Sequence, residues 1–126
     1  MSELTYRIEE ESVDAVIVGG GPAGLAAAVE LYKKGIRNLI ILEREKQLGG
    51  ILRQCIHDGF GLTRFGTTLS GPEYAQRFID QVKELKIPYL TNTSVLEVSG
   101  DKTVTAATSQ GIRRFQAKAV ILTMGC

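Results

Sequence analysis

Two kinds of apolar pattern alternate along the chain. Asp14-Ala-Val-Ile-Val18 and Asn38-Leu-Ile-Ile-Leu42 are short, branched, almost continuous apolar runs. That is the pattern of strands buried on both faces of a parallel sheet. Between them lie Gly19-Gly-Gly-Pro-Ala-Gly24 and an alanine-rich stretch. Pro22 suits a first helical turn, where its missing N–H costs nothing. Lys33 and Lys34 suit the last turn, and Gly35 is a natural helix stop. The pattern predicts a helix over 22–34, and hence a β-α-β unit whose right-handed crossover sets the two strands side by side and parallel.

Residues 44–71 break the pattern. They are glycine-rich and carry no periodicity, and a stretch of this length inside a compact domain tends to be functional. Ser70-Gly71-Pro72 then opens a predicted helix to about Leu85, with Tyr74, Phe78, Val82 and Leu85 on one apolar face and Ile79 beside it. After Pro88 come segments with strand character around Tyr89-Leu90, Val95–Val98, Thr103–Thr108 and Arg113–Ala117. Turns at 99–102 and 109–111 join the last three into an expected three-stranded antiparallel meander. Ala119-Val-Ile-Leu-Thr123 returns to the buried parallel type. No further element follows to cover that strand, so the chain is expected to be a fragment or an excised domain.

Composition changes the picture in one place. Fourteen of 126 residues are glycine, and eleven of these fall between Gly19 and Gly71. Fifteen basic residues against 14 acidic give a net charge of +1 and no electrostatic footprint for nucleic acid. No apolar run approaches the roughly 18 residues of a membrane span. Residues 1–12 are acidic, lack the apolar core of a secretory signal, and are expected to form a polar tail. Cys55 and Cys126 make neither a metal spacing nor a disulfide framework. A cytoplasmic location is the default expectation.

The chemistry centres on Gly19-x-Gly21-x-x-Gly24. A lone motif of this kind is weak, but here it follows a buried strand, opens a helix, and has Glu43 nineteen positions after Gly24 at the end of the second strand. Gly19 permits the tight turn, Gly21 lets the backbone approach a diphosphate, and Gly24 lets the helix pack close to the sheet. Free N–H groups and the helix dipole attract the anion. Glu43 can accept hydrogen bonds from a ribose diol and would repel a 2′-phosphate. Glu43→Gln is expected to weaken binding only mildly, because an amide still hydrogen-bonds. The motif alone leaves FAD and NAD open.

Asp14–Glu43 with Gly-Gly-Gly-Pro-Ala-Gly resembles the FAD-binding start of thioredoxin reductase-like flavoproteins, the pyridine nucleotide-disulfide oxidoreductase superfamily. Leu48-Gly-Gly50, the Gly71-Pro-Glu helix, the meander and Val-Ile-Leu-Thr-Met-Gly (120–125) follow in that group's order, over roughly residues 13–126. Leu48-Gly-Gly-Ile-Leu-Arg-Gln-Cys-Ile-His-Asp-Gly-Phe-Gly61 resembles more particularly a bacterial branch tied to glycerol 3-phosphate, sarcosine, proline or opine oxidation. The resemblance implies an α/β, Rossmann-like FAD-binding fold with a central parallel sheet and a meander. It implies that residues 13–126 are the N-terminal part of an FAD-binding domain, and that an NAD(P)-binding domain and a C-terminal FAD segment lie outside this chain. It assigns the FAD diphosphate to Gly19, Gly21, Pro22, Ala23 and Gly24, and the adenosine ribose to Glu43 with Arg44 beside it. Gly49, Gly50 and Ile51 would run toward the flavin, Val95 would flank the adenine, and Gly125 would lie near the diphosphate.

The implied activity is hydride transfer between FAD and either NAD(P)H or an amino or hydroxy acid, in the longer protein rather than in this segment alone. A small-molecule substrate or electron acceptor is the expected partner, with a second copy or a partner subunit in addition. The dithiol of glutathione reductase-like members has no counterpart, since Cys55 stands alone after the glycine pair. Cys55 and His57 are read as packing or backbone contacts to the flavin ahead of a nucleophile–base pair. No catalytic residue is assigned. Glu9–Glu11 reads as a solubilising run and Arg113-Arg114 as a solvated pair; Arg53 and Arg64 could meet an anionic substrate. A non-catalytic nucleotide-binding module and an NAD-binding dehydrogenase domain stay open as alternatives.

Overall fold

The computed structural model describes residues 8–49 and 71–123. Strand β1 (Ile8–Val18), helix α1 (Pro22–Lys33) and strand β2 (Leu39–Leu42) form the expected crossover unit, with Ala15–Val18 parallel to Leu39–Leu42. Helix α2 (Gly71–Glu84) leads to the short strand β3 (Tyr89–Leu90), parallel to the end of β2. Strands β4 (Ser94–Val98), β5 (Thr103–Thr108) and β6 (Gly111–Leu122) form the antiparallel meander. All six strands join one sheet in the order β3-β2-β1-β6-β5-β4. The fold is α/β, with parallel strands at its centre and the meander on one side.

Alternate residues of the central strands face two separate cores, which is why their runs are continuously apolar. Ala15, Ile17, Leu39 and Ile41 cluster with Leu25, Ala28 and Val29 of α1 and with Phe78, Ile79 and Val82 of α2. Val16, Val18, Ile40 and Leu42 cluster instead with Val104, Ala106, Phe115 and Ala117 of the meander strands. The expected apolar face of α2 is therefore core at Phe78, Ile79 and Val82; the Tyr74 side chain lies outside the described residues. Among the described residues, no helix is long and apolar enough to cross a membrane.

Two expectations are corrected at the ends of the strands. The polar tail predicted over 1–12 becomes strand from Ile8 onward, and the segments 113–117 and 119–123, expected to be separate, are a single strand through Leu122. The reason is one parallel ladder running from Ile8↔Ile112 to Val18↔Leu122. Arg113 reaches Glu9 at 3.9 Å and also pairs with Glu11, Arg114 lies 3.5 Å from Glu10, and Lys118 lies 3.4 Å from Asp14. The acidic run and the arginine pair, each read alone as solvated, are partners across the ladder. Opposite charges facing one another between neighbouring strands add support to this register.

Both helices stop by the same device. The Ile36 N–H donates to Leu31 O at 2.9 Å and the Gly35 N–H to Tyr32 O at 3.1 Å. After α2, the Ile87 N–H donates to Val82 O at 3.0 Å and the Lys86 N–H to Lys83 O at 3.1 Å. This paired bonding needs one residue in the left-handed region. Gly35 supplies it at φ +103°, whereas Lys86 holds φ +59° with its Cβ crowding the backbone. Lys86→Gly should therefore raise stability by about 0.5–1 kcal/mol. Gly35→Ala should lower it by about 1 kcal/mol, although no other atom lies within 4 Å of the added Cβ. Urea denaturation midpoints of the two variants should move in opposite directions.

Candidate functional site

The turn after β1 is built from absences of side chains. Gly19 adopts φ +113° and its N–H donates to Leu42 O at 2.8 Å, which ties the start of the turn to the end of β2. A Cβ on Gly19 would sit 2.6 Å from the Thr123 carbonyl oxygen. A Cβ on Gly24 would sit 1.9 Å from the Gly19 carbonyl oxygen, so the first turn of α1 packs directly on the turn's backbone. The helix begins there without help. Gly21 is its N-cap, no side chain caps it, Pro22 occupies the first turn, and no acidic residue lies in that turn. Leu25 N–H is taken by Gly21 O at 2.9 Å. The Ala23 and Gly24 N–H groups precede the first intrahelical bond and have no acceptor within the helix. Donors of this kind at a positive helix end are suited to an anion.

Glu43 lies beside this turn, at the end of β2, with only 7% of its surface exposed. Its Oε1 accepts the Gly20 N–H at 2.7 Å and its Oε2 accepts the Glu45 N–H at 2.7 Å. Its own backbone is fixed on the outer side by β3 and the segment after it. The Glu43 N–H donates to Leu90 O at 2.8 Å, Thr93 N–H donates to Glu43 O at 2.9 Å, and Asn92 N–H donates to Glu45 O at 2.8 Å. The buried carboxylate thus meets two backbone donors. Since it offers about four acceptor positions, it can accept more bonds from a ligand.

A second glycine segment docks on the first. Gly49, at φ +113°, donates its N–H to Gly20 O at 2.7 Å, and the buried Leu48 side chain covers the place where a Cβ on Gly20 would be, 2.7 Å from Leu48 Cδ2. Gly20 is therefore held on three sides: its N–H by Glu43, its carbonyl by Gly49, its open face by Leu48.

The structure brings together Gly19, Gly21, Pro22, Ala23, Gly24, Glu43 and Gly49 of the residues read from sequence. Arg44 points to solvent, 79% exposed, and pairs with Glu45 at 3.5 Å. Val95 lies on β4, half-buried against the meander-side core, where the β4–β5 register shifts between Val95 and Glu97. Gly50, Ile51 and Gly125 lie outside the described residues, as do Cys55, His57, Arg53, Arg64 and Cys126. Sequence reading gave no role to Gly20, Leu48, Thr93 or Thr123. The signal at Gly20 was visible: glycine stands where the spacing Gly-x-Gly tolerates any residue.

Residues 13–126 match the family model described as pyridine nucleotide-disulphide oxidoreductase. The chain is 31% identical over 123 residues to the hydrogen cyanide synthase subunit HcnB of Pseudomonas protegens, covering 91% of this chain and 25% of that protein. It is 37% identical over 121 residues to a ferredoxin–NADP reductase of Streptococcus sanguinis, covering 91% of this chain and 35% of the reductase. Among solved structures, L-proline dehydrogenase from P. horikoshii superposes with a TM-score of 0.76 at 27% identity, over 96% of this chain and 24% of the dehydrogenase. The chain spans about a quarter to a third of the length of the relatives it matches.

Proposed function

Because the chain belongs to the pyridine nucleotide-disulphide oxidoreductase family, we propose that it is the FAD-binding portion of a flavin-dependent oxidoreductase. The observation that carries this reading is the uncapped start of α1, packed on the glycine turn beside the buried Glu43 carboxylate. The residues present fit the adenosine diphosphate half of FAD. The Ala23 and Gly24 N–H groups would face the diphosphate, and the absence of Cβ atoms in the turn gives it room to approach. Glu43 would accept from the ribose hydroxyls with its remaining lone pairs, and its charge disfavours a 2′-phosphorylated ligand. Arg44, exposed at the same strand end, would lie beside the adenosine, and Val95 would flank the adenine from β4. Gly49 would lead, with Gly50 and Ile51, toward the flavin, and Gly125 would stand near the diphosphate.

When bound, FAD supplies the redox chemistry by accepting a hydride and passing its electrons on. This segment's part is to bind and orient it; the nicotinamide site belongs to another part of the longer protein. Within the family, the branch that oxidises small amino or hydroxy acids is supported by the likeness to L-proline dehydrogenase. A partner subunit is supported by the likeness to a subunit of hydrogen cyanide synthase. The full-length protein should carry flavin absorbance, and anaerobic addition of NADH, NADPH or an amino acid such as L-proline should bleach it. A colourless protein that also fails to bind added FAD would overturn the proposal.

A further inference from the structure

We propose that Thr123 is a positioning residue for the dinucleotide turn, its hydroxyl setting the orientation of the Gly19 peptide on which α1 packs. This inference rests on the reading of that turn as a dinucleotide site. Thr123 follows β6, and its N–H continues the ladder by donating to Val18 O at 2.9 Å. Its side chain does something the ladder does not require. The single hydroxyl proton lies between two acceptors, Val18 O at 3.0 Å and Gly19 O at 3.1 Å. These are the last carbonyl of β1 and the first of the turn.

The Gly19 carbonyl is also the atom that a Cβ on Gly24 would strike at 1.9 Å. The direction of this one peptide therefore fixes how closely α1 approaches and where its first free N–H groups stand. The other side of Gly19 is closed by the same threonine. An added Cβ would lie 2.6 Å from Thr123 O and 2.9 Å from Oγ1, and a Cβ on Gly24 would lie 2.7 Å from Oγ1. Thr123 thus touches both glycines whose small size the motif demands, from a strand about a hundred positions away in sequence. Valine keeps the shape of threonine but turns a methyl toward two carbonyls and removes their donor.

The test uses Thr123→Val and Thr123→Ser in the full-length protein. The ligand-free readout is amide hydrogen exchange at Gly19 and Gly20; the ligand readouts are dissociation constants for FAD and for ADP. Thr123→Val should speed exchange at Gly20 and weaken both ligands by about tenfold, the loss typical of one hydrogen bond. Thr123→Ser should stay within about twofold of wild type in every readout. Unchanged exchange and affinity in Thr123→Val would overturn the proposal. So would a serine variant as impaired as the valine one, which would assign the effect to packing. Should Thr123→Val fail to fold, Thr123→Ala carries the same readouts. A wild-type protein that binds neither FAD nor ADP would remove the dinucleotide reading, while the exchange measurement would still decide what the hydroxyl does.

Discussion

Replacing Gly24 by alanine should cost the fold about 3 kcal/mol or more and deprive the protein of dinucleotide binding. The added methyl would lie 1.9 Å from the Gly19 carbonyl oxygen and 2.7 Å from Thr123 Oγ1. Backbone, not a flexible side chain, stands in its way. To restore an ordinary contact, α1 must retreat by at least about 1 Å from the turn. That movement opens the core at Leu25, Ala28 and Val29, all fully buried. It also carries the Ala23 and Gly24 N–H groups away from the proposed diphosphate position. Equilibrium denaturation and FAD titration of the full-length variant read the two effects separately. Wild-type values in both would mean that α1 does not pack on the turn as described.

Glu43→Gln should be more damaging than the sequence alone predicts. The expectation of a mild loss held the carboxylate to be a ligand group whose amide replacement still hydrogen-bonds. In the structure both oxygens already accept backbone N–H groups, from Gly20 in a buried bond and from Glu45 in a partly buried one. An amide offers one oxygen and one NH₂, so one backbone donor must face another donor. Leaving a buried donor unsatisfied costs about 1–3 kcal/mol. Glu43→Gln should therefore lower stability without any ligand by about 2 kcal/mol, and weaken FAD binding as well. Glu43→Ala should do at least as much. A glutamine variant with wild-type ligand-free stability but weakened FAD binding would restrict Glu43 to a ligand role; one unchanged in both would remove it from the site.

The β-α-β unit was legible because its signals are local: a branched apolar run, Pro22 inside the helix start, Gly35 beyond its end. The motif glycines were legible for the same reason. The structure adds a steric cause for Gly24 that the spacing only implied. What escaped was carried by contacts between distant segments. Glu9–Glu11 has the composition of a tail, and it becomes strand through a ladder to residues about a hundred positions on, where Arg113 and Arg114 face it. Lys118, between the two expected segments, is exposed and pairs with Asp14 across the continuous ladder. Thr123 belonged to a recognised stretch but had no role, since nothing near it in sequence names the carbonyls it holds. Glu43 was placed correctly and understood incompletely, because its backbone partners carry no sequence signature.

The length of the β1–β6 ladder bears on the order in which the molecule assembles. It joins residues about a hundred positions apart, from Glu10 with Arg114 to Val18 with Thr123. Contacts so remote in sequence close the largest loops and reward the chain only after that entropy is spent. The α1 crossover and the meander hairpins can form early from neighbouring residues, whereas the ladder must come later. The hydroxyl that orients the glycine turn arrives with that last strand. Ligand binding at the cradle thus depends on contacts that close the largest loops of the described chain.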